Sequence, residues 1–289
     1  MLSRDPFFIF SASTMKPTSY TFQTDSTLNA EYIQYQTQGF CVVDEEVLSH
    51  SEMTRLANGT YRVMAGNYTL DHPPKFSNYQ PENFQSFQQV KGLHLCDEDI
   101  LSILHEDKLV RRIASILGAN SLRILETAIF IKPGFGDPNG EIPWHRDGDY
   151  MKYIVEGMAH IWIPLEPINA INGTLQYLPG THLQHRRIPQ PLPISEQDSI
   201  HEEYYRMMEK LEESDRVEMV PVDIPWGGFS MHHGDTIHGS GPNYAPTTRH
   251  AFAFTVVTED LKVDPQGFDG VQLGHLHDLD DPIICPKIL

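Results

Sequence analysis

Trp144-His145-Arg146-Asp147-Gly148-Asp149 and, much later in the chain, His238-Gly239-Ser240-Gly241-Pro242-Asn243 are the stretches on which the fold turns. On an extended strand, residues i and i+2 point to one face, so His145 and Asp147 can reach a single ion together. Two neutral imidazoles and one carboxylate on one face suit an octahedral iron whose opposite face stays open. The third ligand must come from another strand, and His232, His233 and His238 compete for that place. The glycines beside His238 let backbone crowd a site, whereas His232 and His233 suit a supporting shell or a barrel wall.

The H-x-D spacing is weak on its own, because a chain with fifteen histidines produces such pairs by chance. A second pair, His105-Glu106-Asp107, is set aside: on a helix, positions i and i+2 diverge by about 200°. Arg249 opens the apolar run Ala251-Phe-Ala-Phe-Thr-Val-Val257. A cation leading into so apolar a strand needs a partner if it points inward. A guanidinium grips a carboxylate through two parallel bonds. The partner is either a bound small dicarboxylic acid or an internal Asp or Glu.

Around these motifs the chain reads as helices first and short strands afterwards. Helical patterning covers residues 31–39 and 45–66, with a short strand at Phe40–Val43. Residues 67–90 show no period. Apolar residues from Ile100 to Leu117 recur on one helical face, and Gly118 is a natural stop. Strands are expected at 122–131, 159–165, 174–178, 217–224, 228–233 and 250–257, with a tight turn at Asn172-Gly173. An amphipathic helix is expected over 195–214, and an acidic, loop-like tail after Thr258. The expectation is an α+β chain with a mainly β core, a double-stranded β-helix (jelly-roll, cupin-like) with flanking helices. Residues 1–289 read as one domain: a helical region over about 30–118, a jelly-roll core over about 120–258, and the insertion helix.

A net charge of −18 counts against nucleic acid and anionic membranes as partners. It leaves a small neutral or cationic substrate as the mild inference. Cys41, Cys96 and Cys285 form no C-x-x-C pair, so neither a zinc ribbon nor a disulfide framework is indicated. No apolar run reaches spanning length. A soluble cytoplasmic protein is expected; the oligomeric state is not legible.

His145-Arg-Asp147, Trp162, Asn172-Gly-Thr-Leu-Gln-Tyr-Leu-Pro-Gly-Thr-His182, His238-Gly-Ser-Gly-Pro-Asn243 and Arg249 together resemble the phytanoyl-CoA dioxygenase family of iron(II)- and 2-oxoglutarate-dependent oxygenases. The resemblance covers residues 120–258 well and the N-terminal third loosely. It implies that His145, Asp147 and His238 ligate iron, that Arg249 grips the distal carboxylate of 2-oxoglutarate, and that Ser240 hydrogen-bonds it. Trp162 is either near the cosubstrate or plain barrel core. Lys91 either matches a family lysine near the cosubstrate or is a solvated surface residue. Met158, the 78–89 loop, Tyr150, Met151 and the 195–214 helix are candidates to line or cover the pocket.

The implied chemistry consumes O2 and 2-oxoglutarate, releases succinate and carbon dioxide, and oxidises a substrate C–H, hydroxylation being the usual outcome. Halogenating relatives replace the carboxylate ligand with a small residue, so Asp147 argues for hydroxylation or a related oxidation. A specialised metabolite is preferred as substrate over a fatty acyl-CoA, because Arg186-Arg187 is the one compact basic pair near the strands. A non-catalytic metal-binding protein on the same cupin-like barrel, or another cupin-type metalloenzyme, are the competing readings.

Overall fold

Alternation in Arg249-His-Ala-Phe-Ala-Phe-Thr sets the architecture: one face of this strand is small or polar and the other carries Phe252 and Phe254. The computed structural model describes residues 26–82, 86–135, 140–151, 153–184, 218–264 and 279–289. The expected 195–214 helix and Arg186-Arg187 lie outside the described residues. In chain order the elements are α1 (Ser26–Gln38), β1 (Phe40–Val43), α2 (His50–Met64), β2 (Phe76–Ser77), β3 (Gln88–Lys91), α3 (Glu98–Leu104), α4 (Asp107–Leu117), β4 (Leu122–Lys132), β5 (Ile142–His145), α5 (Asp147–Tyr150), β6 (Ile154–Pro164), β7 (Gln176–Tyr177), β8 (Val220–Pro221), β9 (Phe229–His233), β10 (His238–Ser240) and β11 (Arg249–Val263).

Two antiparallel sheets face each other as in a jelly roll. The larger has the order β1-β9-β6-β11-β4-β3-β2 and the smaller β5-β10-β7-β8. The outer face of the larger sheet contributes Ile129, Ile161, Met231, Phe252 and Phe254 to a core shared with α2, α3 and α4 through Met53, Leu56, Ile100 and Ile113. Its inner face and the smaller sheet share a second core of Phe40, Trp162, Leu175, Tyr177 and Ala251. All three cysteines are free and buried. Among the described residues no helix is long and apolar enough to cross a membrane.

Several expectations need correction. The run Ile100–Leu117 is two helices, α3 and α4, broken at His105-Glu106. Positions 103, 110 and 117 stay in phase through the break, so periodicity cannot detect it. His105 ends α3 with its Nδ1 2.8 Å from Leu101 O, which occupies an end-of-helix carbonyl. The pair His105/Asp107 therefore straddles a junction rather than riding one helix; Asp107 pairs with Arg111 on the surface. The tail after Thr258 is not loop-like at first: β11 runs to Val263, rejoining β6 beyond a register shift, with Lys262 bonded to Glu156. Residues 67–90 contain β2 and β3, which pair with each other at the sheet edge. The strand expected at 217–224 shrinks to β8 plus an isolated bridge at Ile224.

Helix α2 starts at His50, capped reciprocally by Ser49 and Glu52. Its interior Gly59 permits close approach of α3: a Cβ there would stand 2.6 Å from Asp97 Oδ1 and 2.9 Å from Ile100 Cγ1. Asp97 caps α3 and takes two bonds from Arg62, so it cannot move aside. Gly59→Val is expected to destabilise the protein by about 3 kcal/mol through overpacking. Denaturant unfolding checks this; an unchanged midpoint would mean that α2 and α3 can separate freely.

Candidate metal centre

Strand β10 lies between β5 and β7, with His238 directly opposite His145 on one side and opposite Tyr177 on the other. Directly opposed residues on antiparallel strands present their side chains to the same face. Strand β5 ends at His145, Arg146 remains extended, and Asp147 opens the short helix α5. The expected strand geometry thus holds one residue short, yet it still sends His145 and Asp147 one way and Arg146 the other. Arg146 is buried and donates to Asp235 O and Thr181 O. His145, Asp147 and His238 offer ligand atoms within 4.8 Å of one another, a group that could hold a metal ion.

The hydrogen bonds at the far side of each ring fix what the near side can do. His145 Nδ1 lies 2.7 Å from Pro143 O, and His238 Nδ1 lies 3.0 Å from Thr236 O. A carbonyl only accepts, so each Nδ1 carries the proton and each Nε2 offers a lone pair to a metal. Burial and the neighbouring imidazoles His232 and His145 hold His238 well below the ordinary histidine range. Burial works the same way on His145, but the Asp147 carboxylate outweighs it and raises that ring. Burial would raise Asp147; the surrounding imidazoles overcome it and hold the carboxyl well below the usual range. With a metal ion in place of the proton that Asp147 favours on His145, two neutral imidazoles and an ionised carboxylate are the donor set that ferrous iron takes with open positions to spare.

Two further histidines reach the same carboxylate. His232 and His160 are paired across β9 and β6, and their rings stack at 5.2 Å with a 13° interplanar angle. Nε2 of His232 is 2.9 Å from Asp147 Oδ2, and Nε2 of His160 is 3.3 Å from it. Behind His232 stands the Tyr177 hydroxyl, 3.0 Å from Nδ1 and 3.0 Å from Ser230 Oγ. His233 turns away, accepting from Asp235 N.

Arg249 sits across the cavity, fully buried. Its Nη2 donates to Gly173 O at 2.7 Å, its Cζ lies 5.3 Å from the Trp162 ring centroid, and its Nε and Nη1 have no partner. No internal carboxylate pairs with it among the described residues, and burial lowers it to about 10. Two orphaned N–H groups on a buried cation mark a place for an anion. Ser240 stands behind this arginine. Its hydroxyl donates to Gly173 O and accepts from Lys132, and it does not line the cavity. Gly173, at φ +73°, thus turns its carbonyl to hold both Arg249 and Ser240. This is the structural use of the Asn172-Gly173 motif, whose asparagine ends a 3-10 turn, not a hairpin.

The cavity between the sheets measures about 500 Å³ and contains the histidines, Asp147, Trp162 and Arg249. Residues on the inner face of the larger sheet align in rows along it. His232, His160, Thr255 and Glu126 form one; Ser230, Trp162, Ala253, Ala128 and Lys91 form the next. The alanines in the second row leave the void. Lys91, Tyr150, Met151, Phe87 and Gln89 all line it. Met158 does not: it packs with Leu125, Tyr153 and Val257 in a separate cluster.

Sequence reasoning missed His160, Tyr177 and Lys132. His160 was detectable as the i−2 neighbour of Trp162 on an inward face. Lys132 carried no signal; its amine donates to Ser240 O, Ser240 Oγ and Gly241 O inside the fold. Burial and the neighbouring Arg249 push it down to about 6.

The phytanoyl-CoA dioxygenase family model matches residues 35–251. The chain belongs to the phytanoyl-CoA dioxygenase family. It is accordingly an oxidoreductase of the iron- and 2-oxoglutarate-dependent dioxygenase class, and its histidine–aspartate–histidine centre fits that cofactor. A probable α-ketoglutarate-dependent hypophosphite dioxygenase of Stutzerimonas stutzeri is 23% identical over 219 residues, covering 73% of this chain and 70% of the relative. A phytanoyl-CoA dioxygenase of Arabidopsis thaliana is 27% identical over 193 residues, covering 63% of this chain and 60% of the relative. Among solved structures, the carbocyclase SnoK from nogalamycin biosynthesis superposes with TM-score 0.65 at 18% identity, covering 91% of this family member and 94% of SnoK. EctD from S. alaskensis, solved with 2-oxoglutarate and 5-hydroxyectoine, gives TM-score 0.64 at 17% identity, covering 86% and 83% respectively. These two establish the jelly-roll fold.

Lys132→Met would leave Ser240 O and Gly241 O without this donor and take the shorter of two donors from Ser240 Oγ. A loss of about 2–4 kcal/mol in folding stability is expected, read by denaturant unfolding. A neutral result would mean that water or a rotated Ser240 replaces the amine without cost.

Proposed function

We propose that this protein oxidises an unactivated C–H of a small specialised metabolite, most simply by hydroxylation, with 2-oxoglutarate as cosubstrate. The observation that carries this is the convergence of His145, Asp147 and His238 on a cavity where Arg249 keeps two N–H groups unpartnered. In this reading His145 and His238 hold iron through Nε2, and Asp147 completes the triad. Arg249 binds the distal carboxylate of 2-oxoglutarate. Trp162 supports the guanidinium, and Ser240 positions it through their shared acceptor, Gly173 O. Iron and 2-oxoglutarate supply the oxidising chemistry when bound. The chain's own residues orient both, shut out water between two sheets, and present the substrate from the side of Phe87, Lys91, Tyr150 and Met151.

A small, neutral or cationic substrate is favoured by the lining. Lys91 and Arg249 are its cations, against Glu126, Glu141 and Asp147. A coenzyme A tail carries phosphates that need several Lys or Arg, so a fatty acyl-CoA fits this wall less well. SnoK is a carbocyclase from nogalamycin biosynthesis and EctD was solved with 2-oxoglutarate and 5-hydroxyectoine, which supports a small-molecule substrate here. One catalytic unit over residues 1–289 belongs to the proposal, supported by the core shared between the helices and the larger sheet.

Anaerobic protein mixed with iron(II) and 2-oxoglutarate is expected to develop the weak visible charge-transfer band of the chelate. Absence of the band would remove the oxygenase reading in favour of a binding protein. His145→Ala and His238→Ala are expected to abolish metal-dependent succinate release while retaining the fold by circular dichroism. Arg249→Ala is expected to weaken 2-oxoglutarate by roughly 30-fold or more, with iron affinity nearly unchanged. Equal 2-oxoglutarate affinity in that variant would return the arginine to a structural role.

A further inference from the structure

Three buried nitrogen atoms without a hydrogen bond face the cavity: Nε and Nη1 of Arg249, and Nε2 of His160. The first two are spoken for by the distal carboxylate in the reading above. The third has no use in it. His160 Nδ1 lies 2.9 Å from Thr255 Oγ1, whose hydroxyl has no other bond partner among the described residues. A hydroxyl can donate or accept, but the Asp147 carboxylate 3.3 Å from Nε2 favours the proton there, with Thr255 donating to Nδ1. This separates His160 from His145 and His238, whose Nδ1 protons are held by carbonyls and whose Nε2 atoms are left for the metal. The four imidazoles sort by tautomer into two metal ligands and two N–H donors. His232 spends its N–H on Asp147 Oδ2, whereas His160 lies 3.3 Å from the same oxygen without a hydrogen bond.

We propose that His160 is a second anchor for the 2-oxo acid, donating its Nε2–H to the carboxylate end that lies at the metal, opposite the end gripped by Arg249. His160 and Trp162 are i and i+2 on β6, so both face the cavity. The inner face of this strand therefore leads from the donor beside Asp147 to the ring under Arg249. A dicarboxylic acid has two anionic ends, and the cavity has two sets of unspent donors. This inference rests on the 2-oxoglutarate reading above. It leaves the metal with the three ligands already named and makes His160 a cosubstrate-binding residue.

The test uses full-length protein, anaerobic iron(II), and two titrants: 2-oxoglutarate, and 2-oxobutyrate, which lacks the distal carboxylate. Affinities are read from the visible band, and bound metal is counted separately. His160→Leu is expected to weaken both acids about tenfold, the scale of one hydrogen bond to a charged group. His160→Gln, which keeps an N–H donor, should recover most of that loss. Thr255→Val, which removes the hydroxyl that sets the tautomer, should weaken both acids in the same direction and stands in if His160→Leu fails to fold. Arg249→Ala should weaken 2-oxoglutarate far more than 2-oxobutyrate. Metal content should stay at one per chain throughout.

Unchanged affinity for both acids in His160→Leu and Thr255→Val overturns the proposal. So does loss of the metal in His160→Leu, which would make His160 a ligand. Two metals per wild-type chain, falling to one in His160→Leu, overturns it in favour of a second centre on Asp147, His160 and His232. A wild-type protein that gives no band with either acid defeats the underlying 2-oxoglutarate reading, a result distinct from equal binding by wild type and variant.

Discussion

The pairing of β10 with β5 is the constraint on which the site depends. One backbone register sets His238 opposite His145, and the extended Arg146 then delivers Asp147 to the same side. A slip of one residue would turn His238 to the other face of the sheet. The register is held from outside the metal site. Thr181 Oγ1 accepts from Ile237 N, Lys132 ties Ser240 to the larger sheet, and Gly173 O takes bonds from both Ser240 and Arg249. The cosubstrate grip and the ligand register thus share one set of buried hydrogen bonds, so the two cannot loosen separately.

Crowding four imidazoles around one buried carboxylate costs desolvation, and the arrangement survives because every ring has a defined partner on its far side. Carbonyls pin two of them and hydroxyls orient the other two. Without those partners the rings could exchange tautomers, and a ligand atom would become a donor. A hydrogen-bond partner behind a ligating ring fixes both its direction and its basicity. The Tyr177–Ser230 pair matters for that reason, although neither residue is a metal ligand.

Most of the site was legible because its parts are local. His145 and Asp147 share an i, i+2 spacing, and the choice of His238 over His232 and His233 as the third ligand is what the family resemblance implies. Arg249 follows from a charge set before an apolar strand. What could not be read depends on pairing between distant segments. The stacking of His160 on His232 beside Asp147 becomes visible only when β6 lies beside β9, and Lys132 only when β4 meets the end of β10. The division of 100–117 into two helices escaped because its apolar face stays in phase across the break. The short strands β7 and β8 were overdrawn for a related reason: apolar alternation extends further than the pairing that neighbouring strands can offer.

The sealed cysteines have a consequence for durability. Chemistry with ferrous iron and oxygen produces stray oxidants whenever the cosubstrate is consumed without a substrate. Sulfur is attacked chiefly as the thiolate, and burial denies Cys41 and Cys96 that form, pushing Cys96 up to about 12 and Cys41 further. With Cys285 buried as well, the chain carries its thiols as inert packing, and idle turnover has no easy sulfur target among them.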